Sequence, residues 1–309
     1  MARTASPLRY PGGKSALLKM VSSILRLNKI DRGHYVEPFA GGGGLALSLL
    51  FKGDVAEIHL NDVDPAIAAL WNSMLHAADD LVDLMMATPI SIEERERQRT
   101  IYLDGCDDQL SLGFSALYLN RVNRSGIIKT GGVIGGLAQN GNYRMDCRFN
   151  REDLASRIRR ISKYSRRIHF SSLDARAFLR SIDDSLPARA LIYADPPYFA
   201  KGAELYTSAF KIDDHESLRD RLLTLKSPWI LTYDNVPEIR ALYKARRQFA
   251  FDINYSAQIK RVGKELLIST KGLRLPEELR INQVHRPQYH KSPAANKNVL
   301  NSGMPAQLI

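Results

Sequence analysis

Cysteine is nearly absent from this chain of 309 residues, with Cys106 and Cys147 the only two. They supply neither a disulfide framework nor a zinc-ligand spacing, so they read as ordinary thiols of a reducing cytoplasm. No apolar run is long enough to span a bilayer, and the N-terminus lacks the basic-then-apolar pattern of a secretory leader. A membrane is therefore not expected as a partner. Acidic residues are also in short supply: 33 Asp and Glu face 44 Lys and Arg, for a net charge of +11. Such a deficit favours a polyanionic partner. What remains is an ordinary soluble composition, 44% hydrophobic and 25% charged, in a chain long enough for one large domain or one and a half.

The basic excess is uneven. Between Arg144 and Phe170 there are nine Lys and Arg against Asp146, Glu152 and Asp153. A solvated helix face accounts for part of this, but phosphate contacts account for it better, and nucleic acid is the leading partner.

Near the start stands "RYPGGKSALLKM", whose Gly-Gly-Lys-Ser before a helix imitates the end of a phosphate-binding loop. The full pattern requires another glycine five positions before Gly13, where Leu8 stands, and a strand leading into the turn. Both are missing, so a nucleotide-triphosphate site does not explain these residues.

Alternating β-rich and helical runs predict an α/β fold with a mostly parallel sheet. Strands are expected at Tyr35–Phe39, Glu57–Asn61, Arg167–Ser171, Ala190–Ala194, Trp229–Tyr233, Phe249–Tyr255 and Glu265–Thr270, seven in all. Helices are expected at Ser15–Leu27, Gly44–Phe51, Pro65–His76, His215–Leu225 and Val236–Tyr243. The alternation stops between 77 and 166, which holds helical stretches at Ile92–Leu103 and Phe114–Asn120 and the run "SGIIKTGGVIGGLAQNGNY". That is too long for a connector and predicts an inserted, largely helical subdomain between two parts of a main domain, 1–76 and 167–271. Residues 272–309 read as a mobile tail on composition.

Two stretches carry chemistry. In "YVEPFAGGGGLALSLL" a strand runs into glycines and then a helix, and "IHLNDVDP" follows. Gly41, Gly43 and Ala46 satisfy a loose dinucleotide-binding spacing, and Asp62 stands where an acid would hold ribose hydroxyls. The pattern points to an adenosine-containing cofactor without separating NAD from S-adenosyl-L-methionine. In "ARALIYADPPYFAKGAELY", Asp195-Pro196-Pro197-Tyr198 closes an apolar run fit for a central strand. The two prolines hold the backbone extended. They would aim the Asp195 carboxylate and the Pro196 carbonyl at one planar ring bearing an exocyclic amine, with Tyr198 to stack on it. Tyr206 or Phe199 would supply a second wall.

Together these residues resemble the DNA adenine (N6) methyltransferases of the D12, Dam-like class. "RYPGGKS", "VEPFAGGGG", "NDVDP", "LNRVNRSG" and "DPPY" occur in the family's order, and "ILTYDNVPEIRALY" and "KELLIST" are similar to its closing strands. The resemblance implies a Rossmann-like S-adenosylmethionine-dependent methyltransferase sheet. The activity it implies is methyl transfer from S-adenosyl-L-methionine to adenine N6 in double-stranded DNA, with base flipping and without a metal. It assigns Tyr10, Lys14, Phe39, Ala40, Gly41, Gly43, Asp62, Asp174 and Asp195 to the cofactor, with Lys14 at its polar end. Asp195, Pro196, Pro197 and Tyr198 fall to the target base. Asn120, Arg121, Arg124 and Lys129 are the expected DNA contacts. A cytoplasmic, nucleoid-associated, bacterial or phage-encoded monomer or weak dimer is implied. The run "TGGVIGGLAQNGNY" departs from members that read GATC, so no target sequence follows. An NAD-binding oxidoreductase and a catalytically inactive DNA-binding relative are the competing readings.

Overall fold

Eight strands make a single sheet in the computed structural model, which describes residues 5–9, 14–199, 210–255 and 261–287. They are β1 His34–Glu37, β2 Glu57–Asn61, β3 Ile168–Ser171, β4 Ala190–Ala194, β5 Trp229–Asp234, β6 Arg247–Tyr255, β7 Arg261–Ser269 and β8 Gln283–His285. Their order is β3-β2-β1-β4-β5-β7-β6-β8. The first five are mutually parallel, while β7 runs antiparallel to β5 and β6, and β8 antiparallel to β6. The expected α/β sheet is thus present with eight strands instead of seven. The eighth is three residues long, Gln-Val-His, and mostly exposed, too short to carry a period-2 signal. β1 ends two residues early because Pro38 has no N–H to give the ladder.

Helices α1 Leu18–Leu27, α2 Gly44–Lys52 and α3 Pro65–His76 follow the expected positions, a 3₁₀ turn at Lys14–Leu17 leading into the first. The apolar stripe of α1 is inside, with Val21, Ile24 and Leu25 fully buried. Asp64 caps α3 by accepting from the Ala66 and Ile67 amides, and Pro65 takes the first helical position, where its missing N–H costs nothing.

Between α3 and β3 come α4 Ala78–Ala87, α5 Ile92–Asp104, α6 Gln109–Val122 and α7 Arg151–Ser162. Their apolar faces join the same buried cluster as one side of the sheet, Phe114, Tyr118, Leu154 and Ile158 packing in continuity with Trp71, Leu60 and Tyr35. The contact of α6 with α3 is close enough that a Cβ on Gly113 would fall 2.5 Å from the Leu70 nitrogen. The second face of the sheet is covered by α8 Ala175–Asp183, α9 Ile212–Thr224 and α10 Pro237–Leu242.

The expectation of a mobile tail from residue 272 is corrected for its first part. Leu273, Leu275 and Leu279 are buried, α11 Glu277–Arg280 forms, and β8 extends the sheet. Three leucines at irregular spacing anchor this segment, too few to outweigh its polar composition when read from sequence. Residues 288–309 lie outside the described residues.

Candidate active site

Strand order reverses between β1 and β4, and in an open α/β sheet the crevice at such a reversal, outside the carboxyl ends of the strands, is where ligands bind. Both stretches singled out from the sequence end there. The glycine turn leaves β1 and the Asp-Pro-Pro-Tyr segment leaves β4.

The glycine turn is tied down from the neighbouring strand end. Asp62, just past β2, accepts from the Gly41 amide at 2.8 Å and from the Asp64 amide at 3.0 Å. The Ala40 amide reaches the Asn61 carbonyl at 2.9 Å, and Trp71 Nε1 donates to the Gly41 carbonyl at 2.8 Å. Gly43 has φ +56°, and a Cβ there would stand 2.8 Å from the Trp71 ring, so only glycine fits. Asn61, fully buried, spans two neighbouring segments by donating to the Pro38 and Leu173 carbonyls and accepting from the Leu173 amide.

Burial pushes the Asp62 carboxyl up to about 6, against the two amides that favour its charge. Glu37, the last residue of β1, is buried, and its Oε1 has no hydrogen-bond partner. Burial raises it to about 8. The Tyr35 hydroxyl and the Ala46 amide oppose that shift, and a cationic ligand group set against the open oxygen would restore the charge of a carboxyl otherwise largely protonated near neutrality.

At the end of β4, Asp195 is held by a short relay. Thr232 Oγ1 donates to Asp195 Oδ1 at 2.7 Å, and the Tyr193 hydroxyl lies 2.8 Å behind Thr232. Lys14 Nζ stands 3.4 Å from the same carboxylate oxygen and 3.0 and 3.1 Å from the two oxygens of Glu265. The Tyr198 hydroxyl accepts from Lys14 and donates to Glu265. Burial lifts the Asp195 carboxyl to about 6, Lys14 opposing the shift and Glu265 reinforcing it. Pro196 and Pro197 are buried behind it. The Phe199 amide donates to Asp234 at 3.0 Å, fixing the way the chain leaves the motif.

Lys14, expected at the cofactor's polar end, has its ammonium shared among three groups of the β4 motif and β7, Asp195, Tyr198 and Glu265. Asp174 caps α8 and pairs with Arg176 at 2.9 Å, half exposed at the outer margin. Phe39 packs edge-on to Phe210, ring centroids 5.7 Å apart. Phe199 packs on His215 at 5.3 Å, within the hydrophobic cluster, and so is not a free wall for a base. Tyr10 and Tyr206 lie outside the described residues.

Two expected DNA contacts are internal. Asn120 is 0% exposed, donates to the Arg9 and Gly126 carbonyls and accepts from the Arg9 amide. It joins the α6 end to the segment before Lys14. Arg121 is 7% exposed; burial, with Arg9 and Arg157 nearby, pushes it down to about 10. Both sit in the last turn of a helix that packs on every side, and that burial cannot be read from a charged, polar tetrapeptide. Arg124 and Lys129 are exposed as expected.

The basic stretch is likewise partly structural. Arg151 donates to the Met85 and Thr88 carbonyls, Arg157 to Ser6, Arg159 to Asp79 and Arg167 to Ala56, while Arg160 stacks on Phe51. Arg144, Arg148, Lys163 and Arg166 remain on the surface. Residues the sequence did not single out, Glu37, Asn61, Thr232, Asp234 and Glu265, complete the crevice. All five fell inside stretches already noted as family-like, which was the available signal.

The sequence matches the family model of the D12 class N6 adenine-specific DNA methyltransferases over residues 10–261. Among curated proteins it is similar to the type II methyltransferase M.MjaIII of Methanocaldococcus jannaschii, 21% identical over 230 residues, covering 70% of this chain and 76% of that protein. Among solved structures it resembles one described as an RNA methyltransferase of Pyrococcus horikoshii, with 10% identity, a TM-score of 0.37, and coverage of 83% and 81% of the two chains. Another is described as a class I S-adenosylmethionine-dependent methyltransferase of Listeria monocytogenes, with 11% identity, a TM-score of 0.37, and coverage of 85% and 62%. Likenesses this distant carry no weight for substrate or mechanism.

Proposed function

The chain belongs to the D12 class of N6 adenine-specific DNA methyltransferases, and from that membership we propose that its crevice transfers a methyl group from S-adenosyl-L-methionine to a flipped adenine of duplex DNA. The observation that carries this reading is the pairing of the Asp62-pinned glycine turn at β1 with Asp195 at β4 across the strand-order reversal. Membership sets the NAD-dependent reading aside.

The residues present fit such a donor. Asp62 spends lone pairs on two amides and keeps acceptor capacity for ribose hydroxyls. Glu37 offers its unmet oxygen to an ammonium, and the glycine turn admits close backbone approach. Bound there, S-adenosyl-L-methionine would supply an electrophilic sulfonium methyl.

Adenine N6 is a weak nucleophile because its lone pair is delocalised into the ring. Asp195 and the Pro196 carbonyl, accepting its two hydrogens, favour a pyramidal nitrogen with a localised pair. Thr232 fixes the rotation of the carboxylate, and Lys14 with Glu265 fixes the Tyr198 ring. As the N–C bond formed and the sulfonium S–C bond broke to leave a neutral thioether, positive charge would develop on N6; the carboxylate would stabilise it from a preorganised position, and one N6 proton would then pass to that carboxylate or to water. Extracting the base costs a few kcal/mol, which stacking on Tyr198, worth roughly 1–3 kcal/mol, and phosphate contacts offset. We assign target recognition to 77–166, with Arg124 and Lys129 toward the backbone of DNA.

Incubation with labelled S-adenosyl-L-methionine and plasmid DNA, followed by nucleoside analysis, tests the assignment. N6-methyladenine at a defined site supports it. Binding of both ligands without transfer would favour the inactive relative instead.

A further inference from the structure

Toward the amino-terminal ends of the strands, on the side away from the crevice at their carboxyl ends, four chemistry-bearing side chains share one face of the sheet. His34 opens β1, Glu57 opens β2, His59 follows two positions along β2, and His169 is the second residue of β3. Parallel pairing puts His34 beside Glu57 and His59 beside His169. The three imidazoles stack as a ladder across the strands, with centroids 5.1 Å apart from His34 to His59 and 4.6 Å from His59 to His169.

The opposite face of the same strands is core, carrying Tyr35, Ile58, Leu60 and Ile168. The histidine face stays open. Side chains of His34, Glu57 and His169 are 25%, 36% and 48% accessible. Cross-strand pairs on an open face ordinarily combine opposite charges or hydroxyls. Imidazoles grouped with a carboxylate are instead a donor set for borderline first-row cations.

The geometry agrees. His34 Nδ1 faces His59 Nε2 at 2.9 Å, and one donor atom each from His34, Glu57 and His59 lie within 4.8 Å of one another. A tetrahedral zinc ion separates its donors by roughly 3.3 Å, so the two nitrogens need part by only a few tenths of an ångström. His169 Nε2 sits 2.7 Å from Glu57 Oε2, the kind of outer hydrogen bond that orients a ligating carboxylate.

We propose that His34, Glu57 and His59 form a binding site for a divalent cation of the zinc class, clamping β1 to β2 toward their amino-terminal ends. The ligands come from positions 34, 57 and 59, with His169 behind them, and no short motif links them. The ion takes no part in the chemistry assigned to the crevice.

The full-length chain, without an oligohistidine tag, is titrated with zinc chloride by calorimetry and with cobalt chloride by visible absorption. One equivalent binding at micromolar affinity or tighter, with the intense bands of low-symmetry cobalt(II), is expected. His34→Ala and His59→Ala should each weaken binding at least tenfold. Zinc should raise the melting temperature of the wild type but not of these variants. A Cys106→Ser/Cys147→Ser variant should bind as the wild type does. Glu57→Gln, at a half-open position, carries the same test if an alanine variant fails to fold, and DNA methylation without added zinc reports that each variant is intact. The proposal is overturned by the absence of saturable one-equivalent binding. It is equally overturned if binding survives the histidine substitutions or is lost with the cysteines.

Discussion

Lys14 Nζ lies 3.0 Å from Glu265 Oε1, although 251 positions separate the two residues. Their side chains are 9% and 2% exposed. Lys14 begins the 3₁₀ turn before α1, and Glu265 sits on β7 opposite Asp234 of β5. The pair locks the N-terminal segment onto the one central antiparallel strand, and it does so beside Asp195 and the Tyr198 hydroxyl. Losing either partner removes the nearest counter-charge from a buried group, which costs up to about 3–5 kcal/mol; after loss of Glu265 the Asp195 carboxylate 3.4 Å from Lys14 makes up part of it. Glu265→Ala and Lys14→Ala should each lower unfolding stability by an amount of this order. A Lys14→Met/Glu265→Leu variant should recover much of the loss in denaturant unfolding. Both single variants should lose turnover while S-adenosyl-L-methionine affinity changes little; a loss confined to cofactor affinity would return Lys14 to the cofactor's end.

Asp195→Ala should lower methyl transfer by at least about a hundredfold, the scale of removing a preorganised electrostatic group, while cofactor binding by calorimetry stays measurable. Thr232→Val should be milder. It removes one hydrogen bond to a charged group, worth about 1.5 kcal/mol, and so about tenfold in rate. Near wild-type turnover by Asp195→Ala would end the mechanism.

The pH dependence follows from the raised Asp195 carboxyl. The ionised form accepts the N6 hydrogens, so kcat/KM should rise with pH through about 6 and level off above it. The Thr232 hydrogen bond favours the charged form. Removing it raises the carboxyl further, so Thr232→Val should move the rising limb to higher pH. A limb that stays in place, or moves lower, contradicts the relay.

Gly43→Ala should disturb the cofactor cradle. The backbone there is left-handed and the new Cβ would meet Trp71 at 2.8 Å. The conformational cost alone is about 1–2 kcal/mol, which lowers the melting temperature by at least about 2 °C in a chain of this size. Binding of S-adenosyl-L-methionine should weaken in parallel. Gly53→Ala, also left-handed but with nothing within 4 Å, should show the strain without the loss of binding.

The interface with DNA should divide along the exposure boundary. Lys129→Ala and Arg124→Ala should each weaken DNA binding and reduce the salt slope by about one. Asn120→Ala breaks three internal hydrogen bonds around Arg9 and Gly126. It should lower stability and turnover while leaving the salt slope unchanged, which equilibrium binding across a salt series would resolve.

Much of this protein is written locally. The apolar run Ala190–Ala194 ending in Asp195-Pro196-Pro197-Tyr198 is a buried strand opening onto a rigid acceptor pair, whatever surrounds it. The glycine turn followed by Asp62 is a strand, a left-handed turn and an acid just past the end of the next strand. Such features depend on neighbours in sequence, where backbone sterics and side-chain alternation act directly, and they were enough to name the crevice and its family resemblance. Partnership across the sheet is another matter. Which strand lies beside β5, and in which direction, decides that Glu265 meets Lys14 and that Thr232 reaches Asp195. Packing of α6 on α3 decides that Asn120 and Arg121 serve the interior while Arg124 and Lys129 meet solvent. Parallel register decides that His34, Glu57, His59 and His169 stand together. None of these follows from local pattern, because a polar side chain's role is set by what is brought against it from distant parts of the chain, and that is settled only when the whole core closes.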